Sequence, residues 1–155
     1  MIAVIGEASP RVEDRKFLTG AGKYLDDLEF PDVCHAVFIR SPHAHARILS
    51  LSAAIAKEMP GVLDIITADD VELSKLNALK PFVQENPNTG EAFSFVEQPL
   101  LARNVVRYQG EPVVLVVAET VAQALDASEV VEIEYSPLPH VVDGKEAAST
   151  DSIKL

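Results

Sequence analysis

Two histidines and a serine lie within the segment 40–48, whose sequence is Arg-Ser-Pro-His-Ala-His-Ala-Arg-Ile. A serine near histidines could act as an activated nucleophile. His43 and His45, two residues apart, would share one face of a strand and could bind a metal ion with His35 as third ligand. However, no carboxylate or cysteine lies at a convincing ligand spacing beside the pair, and Ser41 lacks a Gly-x-Ser-x-Gly context. We therefore predict a hydrogen-bonded, partly buried histidine pair and no catalytic or metal site.

Arg40 and Arg47 flank the same segment and are candidates for a structural role. Pro42 between them fixes φ and removes a backbone donor, which predicts a turn between two strands. Guanidinium groups on either side of such a turn could donate to free carbonyls or to a carboxylate across it. We predict that both arginines stabilise the turn and take no part in chemistry.

Two segments of the chain show the same order of elements: strand, strand, helix, strand. In the first, strands are predicted at 33–39, 47–51 and 62–66, with a helix over 52–59. In the second, strands are predicted at 105–108, 113–117 and 131–135, with a helix that begins near Thr120. Ser52 is the predicted N-cap of the first helix, and Thr120 and Gln123 have capping-box spacing.

The run Val113–Val117 has no polar face, which predicts a central strand covered on both sides. On that basis, Leu115→Asp should cost several kcal/mol of stability. The predicted fold class is α+β, with a mixed β-sheet and two main helices. Wherever the two strands that flank a helix pair in parallel, their connection should be right-handed.

Composition limits the remaining possibilities. The chain has 155 residues, which suits one domain, and a net charge of −11, which disfavours nucleic acid as a partner. No apolar run approaches the ~20 residues of a membrane span, and the first residues lack the basic region of a secretory signal. Cys34 is the only cysteine, so no internal disulfide can form. We expect a cytoplasmic protein.

The stretch from residue 81 to 98 is predicted to be a long loop, which is unusual in a compact domain. It contains Phe82, Phe93 and Phe95, which are three of the six phenylalanines in the chain. These rings either fold back onto their own sheet or dock on another domain, and the sequence leaves both readings open. The second reading would make this chain part of a larger protein.

Six ordered motifs carry a family resemblance. They are residues 15–28 (Arg-Lys-Phe-Leu-Thr-Gly-Ala-Gly-Lys-Tyr, then Asp-Asp-Leu after one residue), 40–48, 60–62, 106–113, 117–120 and 131–139. With these motifs the chain resembles the α/β hammerhead domain that opens the molybdenum-binding large subunit of the xanthine dehydrogenase, aldehyde oxidase and aerobic carbon monoxide dehydrogenase family. On this resemblance, residues 11–148 form the hammerhead, residues 1–10 an extension, and residues 149–155 a tail or linker.

The resemblance implies an oxidoreductase that hydroxylates carbon with water, using molybdenum bound to a pterin. Iron–sulfur clusters and flavin, in other domains or subunits, would carry the electrons. It places the pterin contacts and the catalytic glutamate in later domains, so no catalytic, cofactor-binding or metal residue is assigned to this chain. The implied role is docking against those domains and subunits. The structural and interface candidates are Arg40, His43, His45, Arg47, Phe82, Phe93 and Phe95. The alternative is a free-standing α+β module that binds a small ligand or regulates a partner.

Overall fold

A computed structural model of the protein describes residues 6, 11–28, 30–73, 78–79, 82–92 and 98–149. Backbone contacts divide the chain into two units, Met1–Val33 and Cys34–Leu155, and each is described by itself. Within the described part of the chain, no helix is long and apolar enough to cross a lipid bilayer.

The described residues of the first unit form helix α1 (Asp14–Leu18) and a 3₁₀ turn (Leu25–Asp27). The Asp27 carboxylate accepts a hydrogen bond from the Tyr24 backbone N–H at 2.8 Å, which caps the turn. The rings of Phe17 and Tyr24 stack with their centroids 5.5 Å apart. Neither element contains a buried residue.

In its described residues, the second unit contains six strands and four helices. The strands are β1 (His35–Arg40), β2 (Ala46–Ser52), β3 (Val62–Ile66), β4 (Val105–Val106), β5 (Pro112–Ala118) and β6 (Glu132–Pro137). The helices are α2 (Ala54–Lys57), α3 (Ala68–Leu73), α4 (Val121–Glu129) and α5 (Gly144–Ala147). Strand, strand, helix and strand follow one another twice, so the predicted order of elements and the α+β class are confirmed.

The six strands form two sheets of three strands, with the order β1-β5-β3 in sheet 1 and β4-β2-β6 in sheet 2. The second strand of each predicted module therefore lies at the centre of the sheet whose edges come from the other module. Each pairing between the described strands is antiparallel. The prediction of a mixed sheet is wrong in this detail. The two strands that flank α2, and the two that flank α4, lie in different sheets and do not pair, so no parallel crossover arises.

Helix α4 packs on the strands of sheet 1 and covers the inner side of β5. Val114, Val116 and Ala118 of β5 are fully buried there, in one cluster with Ala124 and Ala127 of the helix. The predicted cap of α4 is confirmed, because the Thr120 hydroxyl accepts a hydrogen bond from the Gln123 N–H at 3.3 Å.

One local prediction is wrong. Ser52 does not cap α2, because it is the last residue of β2 and pairs with Glu132 of β6, and the helix begins after Ala53. The prediction that β5 is a central strand is confirmed by the strand order of sheet 1. On the side of β5 opposite Val114 and Val116, Val113 is fully buried, while Leu115 and Val117 are partly exposed and lie outside the core cluster.

Candidate functional site

The two turns through which the chain passes from one sheet to the other lie side by side. The Ser41 N–H donates to the Glu111 carbonyl at 2.9 Å, and the Gly110 N–H donates to the Ser41 carbonyl at 2.8 Å. The Arg40 guanidinium adds a bond to the Gly110 carbonyl at 2.9 Å. We call residues 40–45 together with 107–111 the crossover corner. Gly110 has a φ of +89°, a conformation that glycine adopts without strain.

Ser41 and Glu111 are the buried polar residues of the described chain, each with 2% of its surface exposed. The Ser41 hydroxyl accepts from the backbone N–H of His43 at 3.0 Å and lies 3.1 Å from the His43 carbonyl, to which it can donate. The Glu111 carboxylate accepts a short hydrogen bond from the backbone N–H of Arg107. Both side chains therefore satisfy backbone groups of the turn in which they lie.

The histidines of the corner contact the end of β6. Nδ1 of His45 lies 2.7 Å from the Pro139 carbonyl, and the His45 carbonyl accepts from the Leu138 N–H at 2.9 Å. The His43 ring packs at a tilt on the Tyr135 ring, with centroids 5.0 Å apart. Ser41 Oγ contacts the backbone of His43 and not its imidazole, so this serine has no base in position to activate it. The bonding is that of a structural junction.

The remaining sequence candidates lie in different places. Arg40 is at the corner, where its guanidinium also lies 5.3 Å from the centre of the Phe38 ring. Arg47 is an exposed residue of β2, opposite Val105 and Ser136, and is not at the corner. Phe82 is fully exposed. The other two interface candidates, Phe93 and Phe95, lie outside the described residues.

The sequence alone did not assign a role to Glu111 or to Tyr135. Glu111 lies between Gly110 and Pro112, at the start of the most apolar strand of the chain. A carboxylate in that position, next to a glycine turn, could have been read as a side chain that caps the turn. Tyr135 gave no comparable signal, because it looked like any inward residue of an alternating strand.

Among the described residues, no three His, Cys, Asp or Glu side chains lie close enough together to hold a metal ion. His45, which a metal site would need, is bonded to a backbone carbonyl through Nδ1, and the ring of His43 lies against Tyr135. The arrangement does not fit a metal ion, and we derive no reaction step through one.

A small-ligand module would need a polar-lined pocket. One cleft of about 340 Å³ is lined by Pro99, Asn104, Val105 and two arginines. One of those arginines, Arg103, bridges to Asp69 at 2.8 Å. The volume is at the small end of the range for ligand sites, about 300–1,000 Å³.

Burial raises the pKa of Tyr135 above its ordinary value of 10.0. The nearby Ser41 side chain opposes this shift, but its Oγ is already bonded to the His43 backbone. Among the described residues, the buried Tyr135 hydroxyl oxygen has no hydrogen-bond partner. Such a group costs stability, because folding removes its bonds to water and replaces them with none.

Tyr135→Phe is expected to leave the free energy of unfolding at pH 7 unchanged or to raise it by about 1 kcal/mol. Because the folded-state pKa is raised, the tyrosine protein should lose stability as the pH rises above 10, where the unfolded chain ionises first. The phenylalanine variant should lack this component. Urea unfolding at pH 7 and pH 10.5 measures both effects, with Tyr24→Phe at an exposed ring as control. A clear loss of stability at pH 7 would show that the hydroxyl has a partner.

Comparison with known proteins identifies the architecture. The family model described as "Aldehyde oxidase and xanthine dehydrogenase, a/b hammerhead domain" matches residues 19–139. The chain belongs to this family. The hammerhead is 44% identical to the nicotine 6-hydroxylase large subunit of Paenarthrobacter nicotinovorans, over 93% of this chain and 17% of that one. It is 37% identical to the carbon monoxide dehydrogenase large chain of Afipia carboxidovorans, over 92% of this chain and 16% of that one.

The same likeness holds in three dimensions. The quinoline 2-oxidoreductase of Pseudomonas putida 86 superposes on the hammerhead with a TM-score of 0.82, at 36% identity, over 97% of this chain and 18% of that one. The hammerhead spans about a sixth of the length of these relatives. It is a domain of the molybdenum hydroxylase family, and a free-standing ligand-binding module is not favoured.

Proposed function

We propose that this chain serves as a docking domain of a molybdenum-dependent oxidoreductase, whose chemistry takes place in parts of the enzyme beyond these residues. The observation that carries the proposal is the bonding at the crossover corner. Ser41, His45 and Glu111, which have the side chains of catalytic residues, contact backbone groups of this domain. A corner bonded in this way positions strands, because the side chains of Ser41, His45 and Glu111 are each engaged with the backbone of the domain itself.

The cofactors and partners follow from the family. We propose that molybdenum with its pterin, iron–sulfur clusters and a flavin lie in the other domains and subunits of the complex, which are the docking partners of this chain.

The enzyme is proposed to be cytoplasmic. Residues 11–148 are proposed as the hammerhead, between an extension of residues 1–10 and a tail of 149–155. Elemental analysis tests the division of labour, since stoichiometric molybdenum in the purified chain alone would contradict it.

His43→Ala and His45→Ala are expected to lower stability and the yield of assembled enzyme, but not the turnover per molybdenum. His45 would lose one hydrogen bond and His43 one ring contact, each worth about 1 kcal/mol. The measurement combines a melting curve, the molybdenum content and the turnover number of enzyme purified from the host. The other sequence candidates, Arg40, Arg47, Phe82, Phe93 and Phe95, can be tested by the same three readouts.

His140→Ala provides the matched control, because His140 is exposed and its Nδ1 contacts only the nearby Leu138 carbonyl, at 3.1 Å, among the contacts described. This variant should behave like the unaltered protein in all three measurements. A large loss of turnover in fully assembled, fully metallated His43 or His45 variants would mean that the histidine takes part in the reaction, and the docking proposal would then be wrong.

A further inference from the structure

Sheet 1 has a second face, opposite the one covered by α4. The side chains of β5 alternate, so Leu115 and Val117 point away from the buried Val114 and Val116. Register places Phe38 of β1 and Ile66 of β3 on either side of Leu115. We call this surface the outer face, and its apolar members are Ala36, Phe38, Ile66, Leu115 and Val117.

The outer face has the apolar composition of a sheet surface that packs against other protein. An antiparallel sheet with one face in water usually shows polar residues at the alternate positions of its strands. Here the centre of the face is apolar across all three strands, and Phe38 is 45% exposed. Leu115, Val117 and Ile66 are half-buried, and none of them belongs to the core cluster. The described residues cover this side of β5 at its start, where Val113 is fully buried, and leave Leu115, Val117 and Ile66 partly exposed.

Charged groups lie at the two edges of the outer face. On β1, the Arg40 guanidinium extends over the Phe38 ring while it donates to the Gly110 carbonyl. On β3, Asp64 lies beside Val117, and its carboxylate accepts from the Ile65 N–H at 2.8 Å. An apolar centre with a polar rim is the usual composition of a protein–protein interface.

We propose that the outer face is the docking surface for the part of the same large subunit that lies outside these 155 residues. This inference rests on the proposed function and names the surface that performs it. The match to the nicotine 6-hydroxylase large subunit covers 93% of this chain but only 17% of that subunit. Most of a subunit of that kind therefore lies outside the hammerhead and could cover the outer face. In that relative the matched segment and the remainder are one polypeptide. A tethered partner has an effective concentration of about millimolar, far above that of a second copy in solution.

Photocrosslinking tests the identity of the occupant. Phe38 is replaced by p-benzoylphenylalanine in the protein purified from its own host at its natural length, and crosslinked peptides are identified by mass spectrometry. Peptides from the large subunit outside residues 1–155 are expected. Peptides from within these residues, peptides from a second copy, or no crosslink at all would each overturn the inference. The same group at Leu125 of α4, which is 48% exposed, gives the background from an apolar position elsewhere.

A matched pair of charge substitutions tests the contribution of the face to assembly. Phe38→Lys is expected to lower the yield of assembled enzyme at least tenfold, because it places a charge in the proposed interface. Leu125→Lys is the matched control and should leave the yield unchanged, since Leu125 is as exposed as Phe38 but lies outside the outer face. Melting curves of both variants separate lost docking from lost folding. Equal yields for the two variants would overturn the inference, as would a fall in yield that follows the melting temperature alone.

The two proposals can fail separately. Crosslinks from Phe38 to the expected large-subunit segment, in a complex without molybdenum or oxidoreductase activity, would remove the proposed function and keep the docking surface. An active molybdenum enzyme in which Phe38 gives no crosslink would support the proposed function and overturn the docking surface.

Discussion

Val116→Asp is expected to lower the free energy of unfolding by about 4–5 kcal/mol, whereas Leu115→Asp is expected to lower it by about 1 kcal/mol. Val116 is fully buried beneath α4, so a carboxylate there would lose its water without gaining a partner. Leu115 is its neighbour in β5 but is partly exposed on the outer face, where an introduced charge keeps part of its hydration. Urea unfolding of both variants at pH 7 measures the difference.

The comparison also tests the sequence-based expectation, which gave the large cost to Leu115. If Val116→Asp yields no folded protein, Val116→Ala, with an expected loss of about 2 kcal/mol, can be compared with Leu115→Ala, with an expected loss of about 1 kcal/mol. Equal losses at the two positions would mean that the described chain covers both faces of β5. The outer face would then be unavailable for docking.

The order of elements could be predicted from the sequence because its signals are local. The alternation of β6, with Ile133 and Tyr135 inward and Glu132 and Glu134 outward, is set by the period of a strand and is confirmed. The Thr120 cap depends on a residue three positions away and is also confirmed.

Sheet membership could not be predicted in the same way, since it depends on which strands pair across long stretches of chain. Alternation within β5 shows that it has two faces, but not that β1 and β3 are its neighbours. The same limit explains Ser52, where pairing with Glu132 of β6 overrides a favourable local capping pattern.

The candidate site was predicted only in part, for the same physical reason. Residues 40–48 were recognised as a turn with structural histidines, but the groups that they contact come from far along the chain. The bond from Arg40 to Gly110 joins positions 70 apart, and that from His45 to Pro139 joins positions 94 apart. The structural role of Glu111 could therefore not be predicted until the contact between the two turns was known. Its burial suggests the second large effect.

Glu111→Ala is expected to lower the free energy of unfolding by about 3 kcal/mol, and Glu111→Gln by about 1 kcal/mol or less. Alanine removes the acceptor of the Arg107 N–H and leaves a small cavity at the position of the buried Glu111 side chain. Glutamine keeps an acceptor oxygen in nearly the same volume and also removes the cost of burying a charge. Urea unfolding of the two variants gives both values.

Glu132→Ala, on the exposed side of β6, is the matched control and should change stability by less than about 0.5 kcal/mol. Amide hydrogen exchange gives a second, local readout, because the Ser41 and Gly110 N–H groups are bonded across the corner. Both amides should exchange faster in Glu111→Ala than in Glu111→Gln. Similar exchange and similar stability in the two variants would mean that the Arg107 N–H does not depend on this carboxylate. The corner would then be held by its backbone bonds alone.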